Sequence, residues 1–304
     1  MPPPPPTRPA PSAVTPTATT GKPSLPPQPK PPSAAPARQP AKTFSVVTQS
    51  SKNEGLRVLI YGNSGMGKTT LGNLFPDPVF LALDDGSKHL GAKAITGVET
   101  YQDTRDAIAQ AINLIPAKGS LVIDTITKLE ALIEPHILAT VKTEKGSTPT
   151  SLLQYGWGGG YRHMLEHMRL ILADLDNLIR SGRNVVLLAQ EASARIANLE
   201  GADYLQSGPQ LYSSANANLR SEVCAWCDHV IRVGYPDIVV VKDNVQNRTG
   251  KVSGSTVRSL FTAAPLHFIA KSRPVDGKQL PEVISFESPT DNSLIQMLFH
   301  GGIP

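Results

Sequence analysis

Short apolar runs alternate with amphipathic helical patterns from residue 56 to about residue 242 of this 304-residue chain. Six of these runs are apolar almost throughout, which is typical of strands buried on both faces of a sheet. The predicted strands are Leu56–Tyr61, Val79–Leu83, Ser120–Ile123, Asn184–Ala189, Asp228–Val233 and Ile238–Lys242. Buried strands separated by helices predict an α/β fold, with a mostly parallel sheet and helices on both of its faces.

Two segments between the runs have the spacing of a helix with one buried face. The longer is Arg162–Arg180, which is followed at once by the stop signal Ser181-Gly182. A shorter helix is predicted over about Asp103–Ile115. The apolar positions of the longer helix recur every three or four residues, at Met164, Leu165, Met168, Ile171, Leu172, Leu175, Leu178 and Ile179.

The first 43 residues follow neither pattern. They hold 16 of the 28 prolines, together with alanine, serine and threonine. A segment of this composition cannot bury enough apolar surface to offset its chain entropy, so we predict a disordered or polyproline-like tail over residues 1–43. One α/β domain is predicted over residues 44–285, followed by a C-terminal tail over residues 286–304.

Charge and cysteine content narrow the class of protein. The net charge is +4, but the tail contains five bases and no acid, which leaves 24 bases and 25 acids in the rest of the chain. A basic composition is therefore no evidence that the body binds nucleic acid. Two cysteines exclude a disulfide scaffold, and no apolar run approaches the ~20 residues of a membrane span. We expect a cytoplasmic protein with no membrane partner.

The two cysteines form the motif Cys224-Ala225-Trp226-Cys227, with His229 nearby. A structural zinc site needs four ligands, and there is no second cysteine pair to supply them. We therefore interpret Cys224 and Cys227 as buried structural cysteines.

The strongest chemical signal is a glycine-rich loop between the first predicted strand and a helix start. Its sequence fits G-x-x-x-x-G-K-[ST], the phosphate-binding P-loop. Glycines let the backbone wrap around a phosphate chain, while the lysine reaches the β- and γ-phosphates and the hydroxyl binds Mg²⁺. The nucleotide-binding residues predicted here are Gly62, Asn63, Ser64, Gly65, Met66, Gly67, Lys68, Thr69 and Thr70.

Polar residues at the ends of three other strands complete the predicted site. Asp124 ends an apolar strand and suits a Walker B carboxylate that holds, through water, the Mg²⁺ bound by Thr69. Asp84 and Asp85 follow the strand VFLAL, and we predict Asp85 as the group that orients the attacking water, although an Asp-Gly pair also fits a turn. Gln190 ends the strand NVVLLA and is a candidate γ-phosphate sensor.

Together these residues resemble the RecA-like core, and more closely the small phage-encoded RecA-like ATPases that act as single-strand annealing proteins. The resemblance extends from about Gly55 to Arg273. It includes GNSGMGKTT, FLALDDGSK, LVIDT, QYGWGGGYR, VVLLAQE, CDHVIRV and FIAKSR. It implies a RecA-like P-loop ATPase that uses ATP and Mg²⁺, encoded by a phage or prophage in a bacterial cell.

In that family the stretches after the Walker B strand and the sensor strand are mobile DNA-binding loops. Here they correspond to about Glu144–Arg162 and Ala192–Ala215. Aromatic rings can stack on single-stranded bases and arginines can contact phosphates, although aromatic residues also commonly pack over a core. The candidate DNA-binding residues are Tyr155, Trp157, Tyr161, Arg162, Arg195, Tyr204 and Tyr212.

The same resemblance implies a site shared between subunits. In RecA-like filaments, two cations separated by one residue reach the γ-phosphate of the neighbouring subunit, and Lys271 and Arg273 match this pair. A solvated basic turn before Pro274 is the alternative. The predicted catalytic acid is an aspartate where the family usually has a glutamate, and the large flanking domains of full recombinases are missing, so simple annealing is expected rather than strand exchange.

The sequence therefore predicts an ATP-hydrolysing protein that binds single-stranded DNA and promotes annealing, slow alone and stimulated by DNA or oligomer formation. Its expected partners are single-stranded DNA, further copies of itself in a ring or filament, and a single-strand-binding protein. Two alternatives remain open at this point: a nucleotide-switched loader or packaging accessory that does not bind DNA, and a P-loop small-molecule kinase.

Overall fold

The structure of the protein is a computed structural model. It describes Met1 and residues 54–198, 201–236, 239–241, 251–253 and 257–300. The predicted tail over residues 1–43 lies, apart from Met1, outside the described residues. The described residues from 54 to 300 belong to one compact unit.

Twelve strands and six helices lie within the described residues. The helices are α1 (Lys68–Gly72), α2 (Tyr101–Leu114), α3 (Ile126–Thr140), α4 (Gly159–Arg180), α5 (Leu219–Trp226) and α6 (Ser293–His300). The strands are β1 (Arg57–Gly62), β2 (Pro78–Ala82), β3 (Lys93–Ile95), β4 (Ser120–Asp124), β5 (Asn184–Ile196), β6 (Tyr204–Pro209), β7 (His229–Gly234), β8 (Val239–Val241), β9 (Lys251–Ser253), β10 (Arg258–Phe261), β11 (Lys271–Ser272) and β12 (Val283–Phe286).

Six parallel strands form the centre of the main sheet, in the order β7-β1-β5-β4-β2-β3. Strand β5 thus lies between β1, which leads into the glycine-rich loop, and β4, which ends in Asp124. This is the RecA-like α/β fold, and five of the six predicted strands are confirmed within its sheet. Strands β10 and β12 extend the sheet in antiparallel fashion beyond β7.

Side chains that alternate along the central strands enter two separate hydrophobic clusters. On one face Leu59 and Leu187 pack with helices α2, α3 and α4. On the other face Ile60 and Leu188 pack with α1 and α6. Because the strands are covered on both faces, their apolar runs are nearly continuous, as the sequence pattern indicated.

The predicted helices are present with small changes at their ends. Helix α4 begins at Gly159, three residues earlier than predicted, and ends at the predicted Arg180. Helix α2 begins at Tyr101 because Thr100 and Asp103 form a capping box, in which each side chain accepts a hydrogen bond from the backbone N–H of the other.

Three expectations about the chain differ from the structure. The sixth predicted strand corresponds to β8, which among the described strands pairs with β9 alone, in a separate two-stranded ribbon. Its predicted end residues 238 and 242 lie outside the described residues. The second predicted DNA loop is largely an antiparallel hairpin of β5 and β6. The sequence pattern missed it because the part of β5 beyond Ala189 is half-exposed and no longer apolar.

The third difference concerns the segment predicted as a C-terminal tail over residues 286–304. Phe286 lies in β12, and residues 293–300 form helix α6. Phe286, Leu294 and Leu298 are buried in the hydrophobic cluster that also covers α1. Residues 286–300 are therefore part of the folded domain, because their apolar side chains cover one face of the sheet.

Candidate nucleotide site

The glycine-rich loop connects the carboxyl end of β1 to the amino end of α1. Gly65 and Gly67 adopt positive φ angles of 78° and 90°, a conformation that L side chains rarely take. Gly62 also needs to be glycine, because a Cβ atom there would lie 2.5 Å from the carbonyl oxygen of Val233. The predicted P-loop residues thus have the backbone that the motif requires.

Lys68 lies beneath this loop and is only 7% exposed. Its ammonium group donates hydrogen bonds to the carbonyl oxygens of Gly62 and Asn63, both at 2.9 Å, and to Oε1 of Gln190 at 3.2 Å. Burial lowers the pKa of Lys68, while the carboxylates of Asp124 and Glu191 oppose this change. The predicted sensor Gln190 and the P-loop lysine are therefore in direct contact.

Asp124 and Thr69 meet across the carboxyl edge of the sheet. The Thr69 hydroxyl donates to Oδ2 of Asp124 at 2.9 Å, and Asp124 is buried. Burial raises the pKa of Asp124, and the nearby Asp84 carboxylate adds to the rise, whereas the Thr69 hydrogen bond and Lys68 counteract it. The peptide bond between Asp124 and Thr125 is cis.

These residues fit a nucleoside triphosphate with magnesium. The hydroxyl and carboxylate oxygens of Thr69 and Asp124 are the hard ligands that Mg²⁺ prefers. The adjacent Gly86 leaves room beside them, since a Cβ atom there would lie 3.3 Å from Thr69 Oγ1 and 3.6 Å from Asp124 Oδ2. The backbone N–H groups of the positive-φ loop supply hydrogen-bond donors for phosphate oxygens, and the buried Lys68 supplies a positive charge.

Asp85 does not occupy the position expected of a water-orienting acid. Its side chain is 82% exposed and pairs with Lys88 within a 3₁₀ turn. Asp84, in contrast, is close enough to Asp124 to affect its pKa. Asp84 is also exposed and accepts a hydrogen bond from the Asp85 amide at 2.8 Å, so of the two carboxylates it is distinguished only by its electrostatic effect on the pKa of Asp124.

The segment that follows the sensor is joined to the site through its backbone. The amide of Gln210 donates to the carbonyl oxygen of Gln190 at 2.7 Å, and the Thr127 hydroxyl donates to the carbonyl oxygen of Gln210 at 3.1 Å. Thr127 lies three residues after Asp124. The base of the β5–β6 hairpin therefore lies directly beside the sensor and the Walker B strand.

Three of the predicted DNA-binding aromatics are part of the domain's packing. The hydroxyl of Tyr155 donates to the carbonyl oxygens of Ile137 and Val141, at 3.1 and 2.7 Å, at the end of α3. Tyr161 and Tyr212 stack with ring centroids 4.3 Å apart and planes within 2° of parallel. These contacts give Tyr155 a structural role and join the two predicted loops through Tyr161 and Tyr212.

The other candidates are more accessible. Trp157 is 97% exposed. Arg162, in the first turn of α4, is also exposed. Arg195 pairs with Asp203 across the hairpin at 3.0 Å, next to the half-buried Tyr204. Trp157, rather than the tyrosines, therefore presents the free ring face in this region.

A cavity of about 290 Å³ lies between α4 and α5, close to the segment that holds Trp157 and Gly158. Gly158 contacts Asn216 on its wall, since a Cβ atom at Gly158 would lie 3.1 Å from the Asn216 amide nitrogen. The carboxylate of Glu222, which also lines the cavity, is neutralised by two hydrogen bonds from Arg169 at 2.8 and 3.0 Å. The polar lining residues are Asn216, Asn218, Ser221 and Glu222. We name this surface, with Trp157, the α4–α5 groove.

Lys271 and Arg273 lie at the opposite edge of the sheet from the P-loop of their own chain. Strand β11 pairs with His229 and Val230 at the start of β7, whereas the P-loop follows the end of β1. Lys271 donates to the carbonyl oxygens of Cys224 and Ala225, and Arg273 pairs with Asp228 at 3.1 Å. Neither cation can therefore serve the nucleotide of its own chain.

A buried ion pair beside the sensor was not singled out from the sequence. Glu191 is 6% exposed, and its Oε1 accepts a hydrogen bond from Arg232 at 2.9 Å. Its second carboxylate oxygen is buried without a hydrogen-bond partner among the described residues. No local signal marks this pair, because its members lie on different strands, 41 residues apart.

Of the two cysteines predicted to be buried, Cys227 is buried and Cys224 is only partly buried. Both thiols are free, and burial raises the pKa of Cys224 to about 11 and also raises that of Cys227. Thiols of this kind are poor nucleophiles. Within the part of the chain that the structure describes, no group of three or more histidine, cysteine or acidic side chains could hold a metal ion, and no helix is long and apolar enough to cross a membrane.

The fold and this site define a RecA-like P-loop ATPase. An AAA-domain family, AAA_24, matches residues 54–273, and the chain belongs to this family. Among solved structures it is similar to a KaiC-like protein, PH0186, from Pyrococcus horikoshii OT3 (14% identity, 77% of this chain and 90% of the other, TM-score 0.37). It is also similar to the flagellar accessory protein FlaH from Methanocaldococcus jannaschii (9% identity, 77% and 86%, TM-score 0.36). No curated protein matches the chain.

Proposed function

We propose that the protein binds and hydrolyses ATP with Mg²⁺, binds single-stranded DNA and promotes the annealing of complementary strands. The observation that carries the DNA part is the position of the α4–α5 groove. Trp157 is almost fully exposed, and its neighbour Gly158 lies against Asn216 on the cavity wall. The segment that leads to this wall from Gln210 is hydrogen-bonded to Gln190, the sensor residue of the nucleotide site.

In the nucleotide site, Lys68 binds and orients the phosphates, and Thr69 and Asp124 hold the magnesium. When bound, the metal neutralises charge that develops on the phosphates during hydrolysis. Gln190, already in contact with Lys68, is placed to orient the attacking water, and Asp84 is the neighbouring carboxylate that can polarise it. This assigns to Asp84 the role that the sequence suggested for Asp85.

In the α4–α5 groove, Trp157 provides a stacking surface for a base that is not paired. Stacking on an aromatic ring contributes about 1–3 kcal/mol per base and tolerates any sequence. Arg162 lies exposed in the first turn of α4, where its charge can attract the phosphate backbone. This combination favours single strands, whose bases are accessible, over duplex DNA.

The link between the two sites supports control of DNA binding by ATP. Gln190 contacts Lys68 through its side chain and Gln210 through its backbone, and the amide of Tyr212 donates to Glu130 on α3 at 2.7 Å. If phosphate in the loop shifts Gln190, the segment that begins at Gln210 should move with it. Residues 215–218 of this segment form one wall of the groove. We expect DNA affinity to differ between the ATP-bound and nucleotide-free states.

The test measures the binding of a fluorescent oligothymidine by anisotropy and the ATPase rate, each with and without the other ligand. We expect DNA to stimulate hydrolysis, ATP to strengthen DNA binding, and complementary strands to anneal faster in a fluorescence-quenching assay. Lys68→Ala should abolish the response to ATP. If the protein neither bound DNA at low salt nor showed DNA-stimulated ATPase activity, the DNA-binding function would be contradicted. The ATPase assignment would stay in place.

A further inference from the structure

The outer side of the phosphate loop is covered by two side chains from the C-terminal part of the chain. Arg258 on β10 lies directly opposite Phe286 on β12 in their antiparallel pairing. Ser259, the next residue, pairs with Gly234 at the carboxyl end of β7. This register brings both side chains to the edge of the sheet where the P-loop lies.

Both side chains contact the loop at Gly67. A Cβ atom at Gly67 would lie 2.8 Å from Nη1 of Arg258 and 3.1 Å from the ring of Phe286. Nη1 of Arg258 also donates to the carbonyl oxygen of Met66 at 3.3 Å, and its guanidinium lies 4.9 Å from the centre of the Phe286 ring. The absence of a side chain at Gly67 thus permits a close contact between the loop and this pair.

Most arginines of the described domain pair with a carboxylate, and Arg258 is one of the few that do not. Arg57, Arg105, Arg169 and Arg232 each pair with a carboxylate. Among the described residues, no carboxylate lies within 4.0 Å of the Arg258 guanidinium, although the side chain is half-buried. A partly desolvated cation without a counter-ion favours an anion in its surroundings, and the nearest anion site is the phosphate loop.

We propose that Arg258 is a positioning residue for nucleotide binding. It holds the loop at Met66 and Gly67 in its phosphate-binding conformation, Phe286 orients its guanidinium, and its charge adds to that of Lys68. The C-terminal strands thereby become part of the nucleotide site. This inference rests on nucleotide binding at the P-loop and does not depend on DNA binding.

The test compares Arg258→Ala and Arg258→Lys with Thr262→Val. Thr262 lies four residues further along the chain, is buried, and donates its hydroxyl hydrogen bond to the carbonyl oxygen of Pro281. Thr262→Val therefore weakens the same C-terminal strands without contacting the P-loop. Affinities for fluorescent ATP and ADP analogues are measured together with melting temperatures and kcat at saturating ATP.

We expect Arg258→Ala to weaken both nucleotides by about tenfold, which corresponds to about 1.4 kcal/mol. Arg258→Lys should recover part of the affinity because it keeps the charge, and Thr262→Val should stay within about twofold of wild type even where it lowers the melting temperature. The kcat of Arg258→Ala should change less than its affinity, since Arg258 acts on binding.

Unchanged affinity in folded Arg258→Ala, or an equal loss in Thr262→Val, would overturn the role of Arg258 while leaving the ATPase function intact. A wild-type protein that binds neither analogue would instead overturn the nucleotide site itself, and with it this inference. Lys68→Ala, which should lose both analogues, verifies that the signal comes from the P-loop.

Discussion

Lys68 and Asp124 show how burial acts on the two key charges of the site. Desolvation lowers the pKa of the lysine and raises that of the aspartate, so both changes oppose the charged forms that the chemistry uses. Phosphate and magnesium would bring the compensating charges. Without bound ligands the protein is therefore less stable than one with a neutral site of the same shape would be, a common exchange of stability for function.

Asp124→Asn is expected to stabilise the nucleotide-free protein at pH 7.5 to 8. Because the folded-state pKa of Asp124 is raised, the stability linked to this group is present at low pH and is lost as the pH rises through that pKa. The neutral amide removes this loss. The melting temperature should rise by a few degrees, since ~1 kcal/mol corresponds to about 2–4 °C in a domain of this size.

The gain should shrink as the pH is lowered toward the raised pKa, where wild-type Asp124 is itself protonated. Asp85→Asn is the matched control, because it makes the same chemical change at an exposed carboxylate. Thermal denaturation without nucleotide or magnesium measures both variants. A stability difference between Asp124→Asn and wild type that does not depend on pH would contradict the assigned ionisation.

At the scale of elements, the segment between α3 and α4 contains one aromatic residue that packs against the domain and one that is exposed. Tyr155 ties the segment to the last turn of α3 through two carbonyl oxygens, whereas Trp157, two residues on, is held out of the core with a positive φ of 45°. Gly156 and Gly158 on either side also have positive φ angles. The backbone thus turns sharply around an exposed tryptophan.

Trp157→Ala should weaken binding of oligothymidine by about fivefold or more, because stacking contributes ~1–3 kcal/mol per base. Its melting temperature should equal that of wild type, since the side chain is almost fully exposed. Tyr155→Phe should do the reverse, losing about 1 kcal/mol of stability with the hydroxyl and keeping DNA affinity. Anisotropy and thermal denaturation report on the two variants. Equal DNA affinities for Trp157→Ala and wild type would contradict a stacking role.

At the scale of the whole molecule, the sheet separates the P-loop from the pair Lys271 and Arg273. A parallel strand has its two ends at opposite edges of the sheet, so cations beside the start of β7 are far from the loop that follows β1. Any contact of these cations with a phosphate must therefore involve a second copy of the chain. Arg273 is the better probe, because Lys271 also binds the last carbonyl oxygens of α5.

We predict that Lys68→Ala and Arg273→Ala are each defective in ATP hydrolysis and that mixing them restores part of the activity. In mixed assemblies some sites combine an intact P-loop with an intact Arg273 from the neighbour. Arg180→Ala, which removes another exposed arginine, should behave as wild type. Light scattering verifies that mixed oligomers form. If such oligomers show no recovery of ATPase rate, the shared site is contradicted.

The strands and the P-loop could be predicted because their signals are local. A buried parallel strand is apolar over five or six consecutive residues, and the loop motif is eight contiguous residues that the backbone conformation itself requires. The β5–β6 hairpin and helix α6 were missed for the opposite reason. Their partners lie elsewhere in the chain, and neither a half-exposed strand nor a short terminal helix is distinctive alone.

The sequence by itself determined the fold class, the P-loop and the candidate strand-end residues Asp124 and Gln190, since each depends on neighbouring residues. Tertiary structure alone decided which groups face one another. It turned Asp85 to solvent, used Tyr155 in packing and brought Arg258 onto Gly67 from 191 positions away. Such pairings depend on strand register and burial, which no local pattern encodes.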